Sequence, residues 1–429
     1  MTEVPAPVPA PEVTVGSVPG PLAKVSARWI TLISLANLGL MVGYYGPLQV
    51  LLPNQVQAIA GSAGKVAALG WVTALGAAAA MITQPLVGAL SDRTVSRLGR
   101  RHPWTLYGAL VGAAALTALA GQRTIAGVAI CWCLAQAGLN SLEASLTAAV
   151  PDQVPVRQRG FASGWISLQR TFGVVVGVVL VSLLLTGNGG YVLVAAVVLA
   201  FAAPFVLFTR SSRLTREARP PFDWRGFARS FWLSPRRYPD FAWAWATRFL
   251  VMLGNAMAIL YLLYFLRDKI HYSRLFPGQT AEDGLLILIV AYTIGVLLSA
   301  VAGGRLSDRS GRRKPLVTVS GLVMAVPAVM LAIWQTWPVT VACAVLLGIG
   351  YGAYLAVDLA LVTQVLPSEA GYAKDLGIIN IASSGPQVLA PALAAPIVSS
   401  LGGYPALYLT VAVITVLGAV FVWKVRSVP

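Results

Sequence analysis

Two stretches decide how this chain folds: GALSDRTVSRLGRRHPW at residues 88–104 and GRLSDRSGRRKP at residues 304–315. Gly88, Asp92 and Arg93 recur as Gly304, Asp308 and Arg309, an offset of 216 residues, and Pro151 recurs at the same offset as Pro367. Each copy continues into a Gly-Arg-Arg triplet, Gly99-Arg100-Arg101 in the first and Gly311-Arg312-Arg313 in the second. Such an internal repeat implies two equivalent halves. A carboxylate and several guanidinium groups in one tight turn can pair with each other, with helix ends or with lipid headgroups. The glycine that ends each apolar block predicts close helix packing at that point.

Outward from these loops the chain is overwhelmingly apolar. Of its 429 residues 57% are hydrophobic and 11% charged, against roughly 25% charged in ordinary soluble domains. A soluble fold is excluded. The apolar residues fall in long blocks rather than in alternation, which excludes a β-barrel. Twelve blocks are long enough to cross a bilayer: 29–51, 66–90, 104–121, 125–150, 162–186, 190–209, 241–266, 285–305, 315–336, 339–366, 376–400 and 404–424. The fold class expected is therefore an all-α membrane protein, with an N-terminal six-helix bundle over 26–210 and a C-terminal one over 240–429.

The net charge of +16 would point to nucleic acid in a soluble chain. Its placement says otherwise. Of 31 lysines and arginines, 24 lie on the side that carries both termini, and the opposite loops hold only Lys65, Arg123, Arg267, Lys269 and Arg274. By the positive-inside rule both termini are cytoplasmic, which predicts a multi-pass protein of the plasma or inner membrane without a nucleic-acid partner. The first 21 residues carry six prolines and no basic residue, so residues 1–25 read as a disordered cytoplasmic tail rather than a signal peptide. The linker 211–239 is rich in arginine, and Trp224, Phe227 and Phe231 recur in it at helical spacing. It reads either as a short helix lying on the inner membrane surface or as a solvated basic segment.

Four ionisable residues fall inside spans, where charge is costly and marks function by default: Glu143, Arg170, Arg248 and Asp358. Counting helical rise from the nearest loops puts all four roughly 12–15 Å deep. Each half thus offers one carboxylate and one arginine at similar depth, and Glu143 and Asp358 are one residue from equivalence under the repeat. A carboxylate there is pulled toward protonation by desolvation and toward ionisation by a nearby arginine, so small movements can load and unload a proton. Asp358, and secondarily Glu143, is the expected proton carrier, with Arg248 and Arg170 as counter-charges that also bind substrate. The alternative is two permanent ion pairs that only hold helices together. Asn37, Tyr44, Tyr45, Asn140, Asn255, Tyr261, Tyr351 and Tyr354 add amides and aromatic rings suited to sugar hydroxyls and apolar sugar faces, and equally to amphiphiles.

The repeated loops resemble those of the major facilitator superfamily, whose signature loop joins the second and third helices and has a weaker copy in the second half. The resemblance covers residues 25–426. The longer first loop, with its Ser-Asp-Arg-Thr start and Pro103-Trp104 end, resembles the glycoside and sucrose cation-symporter branch. The resemblance implies twelve helices in two pseudo-symmetric bundles around a central cavity that opens alternately to each side, lined by spans 1, 4, 7 and 10. It makes Asp92, Asp308, Arg93, Arg100, Arg101, Arg309, Arg312 and Arg313, with their flanking glycines, gate residues that hold the two bundles together in one state. Melibiose-type sodium symporters keep aspartates on the second span, and Trp71–Leu90 has none, which favours protons.

No phosphate-binding Gly-rich loop occurs, and the only histidines are His102 and His271. Cys131, Cys133 and Cys343 all lie in apolar blocks, so no metal, cofactor, disulfide framework or enzymatic activity is expected. The function expected is proton-coupled symport of a sugar or related small polar solute by a monomer. A proton-driven exporter of amphiphilic compounds is the second reading, and a non-transporting membrane sensor is the third.

Overall fold

The computed structural model describes residues 24–185, 187–215, 236–310, 313–365 and 372–426. Most of the tail 1–25 and of the linker 211–239, together with Gly311, Arg312 and Pro367, therefore lie outside the described residues. The described residues form helices only: α1 (Ala27–Gly46), α2 (Leu52–Ser91), α3 (His102–Ala120), α4 (Ile125–Gln153), α5 (Val156–Val179) and α6 (Asn188–Phe208) in the first half. The second half holds α7 (Pro239–Leu260), α8 (Ala281–Ser310), α9 (Arg313–Ile333), α10 (Trp337–Gln364), α11 (Tyr372–Ser400) and α12 (Gly403–Phe421).

Among the described residues eleven helical runs are long and apolar enough to span a membrane, and one of them, Ala27–Ser91, is 65 residues long. At helical rise that run measures about 98 Å, three times the hydrocarbon thickness of a bilayer. It is broken at Gly61, whose φ of 69° and ψ of −179° suit only glycine. The run holds two crossings joined at Gly61, consistent with the twelve blocks of the sequence. Gly46-Pro47 also interrupts span one as expected: α1 ends there and a π-helical turn, Pro47–Leu51, leads into α2. Pro386, Pro391 and Pro396 are all contained within one continuous α11.

The repeat is visible in the packing. In the first half α1 lies on α5 and α6, α4 on α2 and α3, and α3 on α6. In the second half α7 lies on α11 and α12, α10 on α8 and α9, and α9 on α12, so adding six maps one set of pairs onto the other. The α1–α5 contact is made at Gly173 and Gly177. A Cβ at Gly173 would come within 2.4 Å of the Met41 Cβ, and one at Gly177 within 3.1 Å of the Gly46 nitrogen. This is the small-residue face that lets membrane helices approach closely. Trp71, Ile82, Leu207 and Leu298 project from the outside of the bundle with more than 60% of their surface exposed. Large apolar side chains around the periphery suit a lipid surround, where the backbone must satisfy its own polar groups in helices.

The two halves meet along two seams, α2 with α11 and α5 with α8, which the pseudo-twofold exchanges. The first is tightly packed, because a Cβ at Gly70 would lie 2.9 Å from the Ala395 Cβ and 3.3 Å from the Pro391 carbonyl oxygen. The second touches at far fewer places.

Candidate substrate cavity and gates

Between the halves lie three connected chambers. One of about 350 Å³ takes Tyr44, Gln84, Asn140, Glu143 and Thr147 into its wall. It shares Tyr45, Gln136, Ser383 and Gln387 with a smaller one of about 170 Å³. That chamber in turn shares Tyr45, Gln49, Asn255 and Tyr351 with the largest, of about 490 Å³. Along α4, α7 and α10 the series runs from the face that carries the chain termini, here the terminal face, towards the opposite, distal face. Spans 1, 4, 7 and 10 all contribute, as the family resemblance implies. Spans 2, 5, 8 and 11 contribute as well, through Thr73, Thr171, Thr293 and Gln387.

The residues singled out in the sequence separate into three groups. Tyr44, Asn140, Asn255 and Glu143 stand on chamber walls, and the Tyr44 hydroxyl donates to the Glu143 Oε2 at 3.1 Å. Arg248, Tyr354 and Asp358 form a cluster behind the wall. The Arg248 guanidinium pairs with Asp358 and donates from Nε to Ser383 Oγ at 3.0 Å, while the Tyr354 hydroxyl donates to Asp358 Oδ1 at 2.6 Å. Asp358 is only 2% exposed, and Ser383 is the one member of this cluster that also faces the chambers. Asn37 is the third case: it is buried, bonds back to the Ile33 carbonyl at 2.9 Å, and lines none of the three chambers. A short amide one turn above a carbonyl closes onto its own helix. The Arg170 side chain lies outside what the structure describes.

The signature loop at the terminal face is a dense network, joined within the first half. Arg101, 5% exposed, reaches Asp92 at 2.5 Å, Asp152 at 2.7 Å and Ser91 Oγ at 2.5 Å. Arg100 reaches the same Asp152 at 2.5 Å and takes Ser212 as a further partner. Burial pulls the Arg101 pKa down, but Asp152 and Asp92 outweigh it, and the guanidinium is held above its ordinary value and stays charged. Gly99 sits at φ 86° with its Cα against the Ser211 backbone, so no side chain fits there. Arg100 and Arg101 tie the ends of α2, α3 and α4 to the start of the linker in this conformation, while Arg312 and the Asp308 side chain, on which the expected tie between the bundles also falls, lie outside what the structure describes. Arg93 caps its own helix through the Ala89 carbonyl at 3.0 Å. Nor is Gly88 a tight packing point here. A Cβ on it would meet nothing within 4 Å, and one on Gly304 would meet only the Ala356 Cβ, at 4.0 Å. In the second copy Arg309 is exposed, while the Asp308 side chain lies outside the described ones.

The halves are locked at the distal face instead, by residues that the sequence reading counted only as sparse loop charges. Lys65, 5% exposed, pairs with Asp268 at 2.6 Å, and its ammonium stands 4.7 Å from the centre of the Tyr264 ring. Tyr404 donates to the other Asp268 oxygen at 2.8 Å. Arg267 reaches Glu282 at 2.5 Å, Asn54 Oδ1 at 2.5 Å and Gln57 Oε1 at 2.8 Å, and Asn54 donates to the same Glu282 oxygen at 2.9 Å. Tyr261 and Tyr264 add bonds to the carbonyls of Val66 and Pro53. A π-helical turn, Leu266–Ile270, presents Arg267 and Asp268 to this interface. It occupies in span seven the place that Pro47–Leu51 occupies in span one, and π turns of this kind gather at functional positions. One signal in the sequence pointed here: Arg267, Asp268 and Lys269 are consecutive on an otherwise sparsely charged side.

The chain's overall fold is similar to that of solved transporters. It superposes on nucleoside transporter NupG with a TM-score of 0.74 at 15% identity, over 93% of this chain and all of that one. On the human organic anion transporter MFSD10 the TM-score is 0.66 at 17% identity, over 92% of this chain and 99% of that one. No curated protein matches it by sequence. The sequence model of the Major Facilitator Superfamily matches residues 30–291 and 279–429, nearly the whole chain. With two six-helix halves, a cavity between them and a charged loop after the second span, the chain belongs to the major facilitator superfamily.

Proposed function

We propose that the protein is a proton-coupled secondary transporter of a sugar or related small polar solute, working by alternating access in the plasma or inner membrane with both termini cytoplasmic. The observation that carries this reading is the asymmetry between faces. A cavity sits between the halves, its distal end is closed by the Lys65–Asp268 bridge and by the bonds of Arg267 and Glu282 to Asn54, and at the terminal face Arg100 and Arg101 make their contacts within the first half and the linker. That is the arrangement of one end-state of a rocker, the solute path leading to the cytoplasm.

Glu143 is the better-placed proton carrier of the two carboxylates. It stands on the wall of the chamber nearest the terminal face, where protons and solute share access, while Asp358 is enclosed by Arg248 and Tyr354. Asp358 acts in this scheme through Ser383, which joins its cluster to the chamber wall. The apolar lining of the largest chamber favours a second reading, a proton-driven exporter of amphiphilic compounds.

Counterflow in proteoliposomes with a pooled metabolite mixture tests the reading. Exchange of one solute family, with accumulation driven by an imposed pH gradient, is the expected result. Glu143→Gln is expected to abolish pH-driven accumulation while leaving counterflow intact. Asp358→Asn strands the buried Arg248 charge and is expected to cost about 3–5 kcal/mol of stability. Unchanged accumulation in Glu143→Gln removes that residue from coupling, and absence of counterflow with any metabolite removes the transport reading itself.

A further inference from the structure

The chambers differ in chemistry as well as in size. The one of about 170 Å³ mixes apolar residues, Leu48, Met252 and Leu260 among them, with hydrogen-bonding groups: Thr73, Gln136, Ser383 and Gln387, with Gln49 and Asn255 at its mouth. By itself it is smaller than the 300–1,000 Å³ usual for a ligand site, so it serves as part of one. Trp132 belongs to the same wall. Its side chain is fully buried, and its indole Nε1 has no hydrogen-bond partner. Buried polar atoms of Ser34, His102, Gln153, Ser182 and Thr247 are likewise without a partner, though none of those residues lines a chamber, and an unsatisfied donor away from water is costly enough to need a reason. The ring is held where it is by a missing side chain on α2, since a Cβ at Gly76 would lie 2.4 Å from that nitrogen.

The chamber of about 490 Å³ is more apolar, with Leu288, Ile289, Leu331, Ala344 and Leu347 in its wall. On one side Tyr292 and Tyr351 stack with ring centroids 6.1 Å apart and 28° between planes. The Tyr292 hydroxyl is turned to Asn255 Oδ1 at 3.4 Å, at the passage between the two chambers. Aromatic faces of this kind receive flat apolar rings, and the amides receive hydroxyl or carbonyl groups.

We propose that the cavity is a two-part site for a neutral two-part solute, with a compact hydroxyl- or amide-bearing head held in the small chamber and a larger, flat, mainly apolar body in the large one. The proposal rests on the transporter reading and sharpens it, because neither a free sugar nor a plain lipophile fills both chambers. Gln136, Gln387 and Ser383 make the head's hydrogen bonds, the buried Trp132 ring backs the wall behind them, and the stacked tyrosines flank the body. Gly76 and the indole set how far the head can enter.

Equilibrium binding to the purified full-length protein in nanodiscs tests this with four probes: methyl β-glucoside as head alone, 2-naphthol as body alone, and 2-naphthyl β-glucoside and adenosine as two-part solutes of different chemistry. At least one two-part probe is expected to bind tenfold or more tightly than either fragment, about 1.4 kcal/mol. Gln387→Leu, or Gln136→Leu should that variant fail to fold, is expected to weaken the two-part probe about fivefold, as loss of one hydrogen bond does, and to leave 2-naphthol unchanged. Ala344→Phe, which fills the large chamber, is expected to abolish the two-part advantage and leave methyl β-glucoside unchanged. Which of the two-part probes binds identifies the body as a hydrocarbon ring or a polar base. Equal affinity for methyl and naphthyl glucosides, no binding of either two-part probe, or indifference to the Gln387 and Gln136 changes overturns the proposal. The transport reading is tested apart from it: counterflow without a two-part preference keeps transport and discards the two-part site, and two-part binding without counterflow does the reverse.

Discussion

Two charged regions of this protein look alike on paper and behave oppositely in three dimensions. The loop at 88–104 is dense in arginine and repeated in both halves, yet Arg100 and Arg101 spend their contacts on Asp92, Asp152 and Ser212, all in the first half or the linker. The distal residues Lys65, Arg267, Asp268 and Glu282 carry no motif, yet they bridge the halves. A dense cluster within one body makes that body rigid; a sparse cluster between two bodies decides how they sit. Arg100 and Arg101 thus stiffen one body, and Gly88, with nothing within 4 Å of a Cβ, marks a surface with room for the other half to close on.

Breaking the distal bridge gives the largest expected effect. Lys65 is almost fully buried against Asp268, so Asp268→Asn leaves an ammonium without its partner at a cost of about 3–5 kcal/mol to the distally closed state. A bias of that size moves a two-state population by two orders of magnitude or more. In a protein whose three cysteines are replaced, a cysteine at Gln49 is then expected to become reactive to an impermeant thiol reagent from outside. Arg101→Gln should produce the contrasting result. It removes a buried partner of Asp152 and is expected to lower the thermal midpoint, at a cost of about 3 kcal/mol, without raising labelling at Gln49. The smallest effect on stability belongs to Gly88→Leu, which has space in this conformation. If the terminal face closes onto that surface, the variant keeps its thermal midpoint and slows counterflow several-fold; unchanged counterflow would say that the surface is never used.

The sequence made the architecture legible because the features that encode it are local and repeated. Apolar blocks give spans, basic loops give sidedness, and the 216-residue offset gives two halves, which the packing pairs of α1–α6 and α7–α12 reproduce. Pairings across the halves were not legible. Lys65 and Asp268 are 203 residues apart, and nothing in either neighbourhood names the other. Asp152 lies just past the apolar end of span four, so it drew no notice as an intramembrane charge, although it is the common partner of both loop arginines. Depth estimates from helical rise place Glu143 and Asp358 along their helices but carry no rotation about the helix axis. Rotation is what places Glu143 on a chamber wall and Asp358 behind one. The same blindness put Asn37 in the cavity, where the structure turns it to its own helix. Gln136 and Gln387 carry no sequence signal of a site, because a single glutamine in a span is more often a packing residue than a binding one.

Distances between spin labels at the two faces test the central claim most directly. One pair, at Ser62 and Ser273, spans the distal face, and another, at Val95 and Arg309, spans the terminal face, each measured in the cysteine-replaced protein with and without Asp268→Asn. The distal distance is expected to lengthen and the terminal distance to shorten together when the bridge is broken, because one rocking motion links them. A distal pair that separates while the terminal pair stays fixed, or no change at either face, would contradict the account.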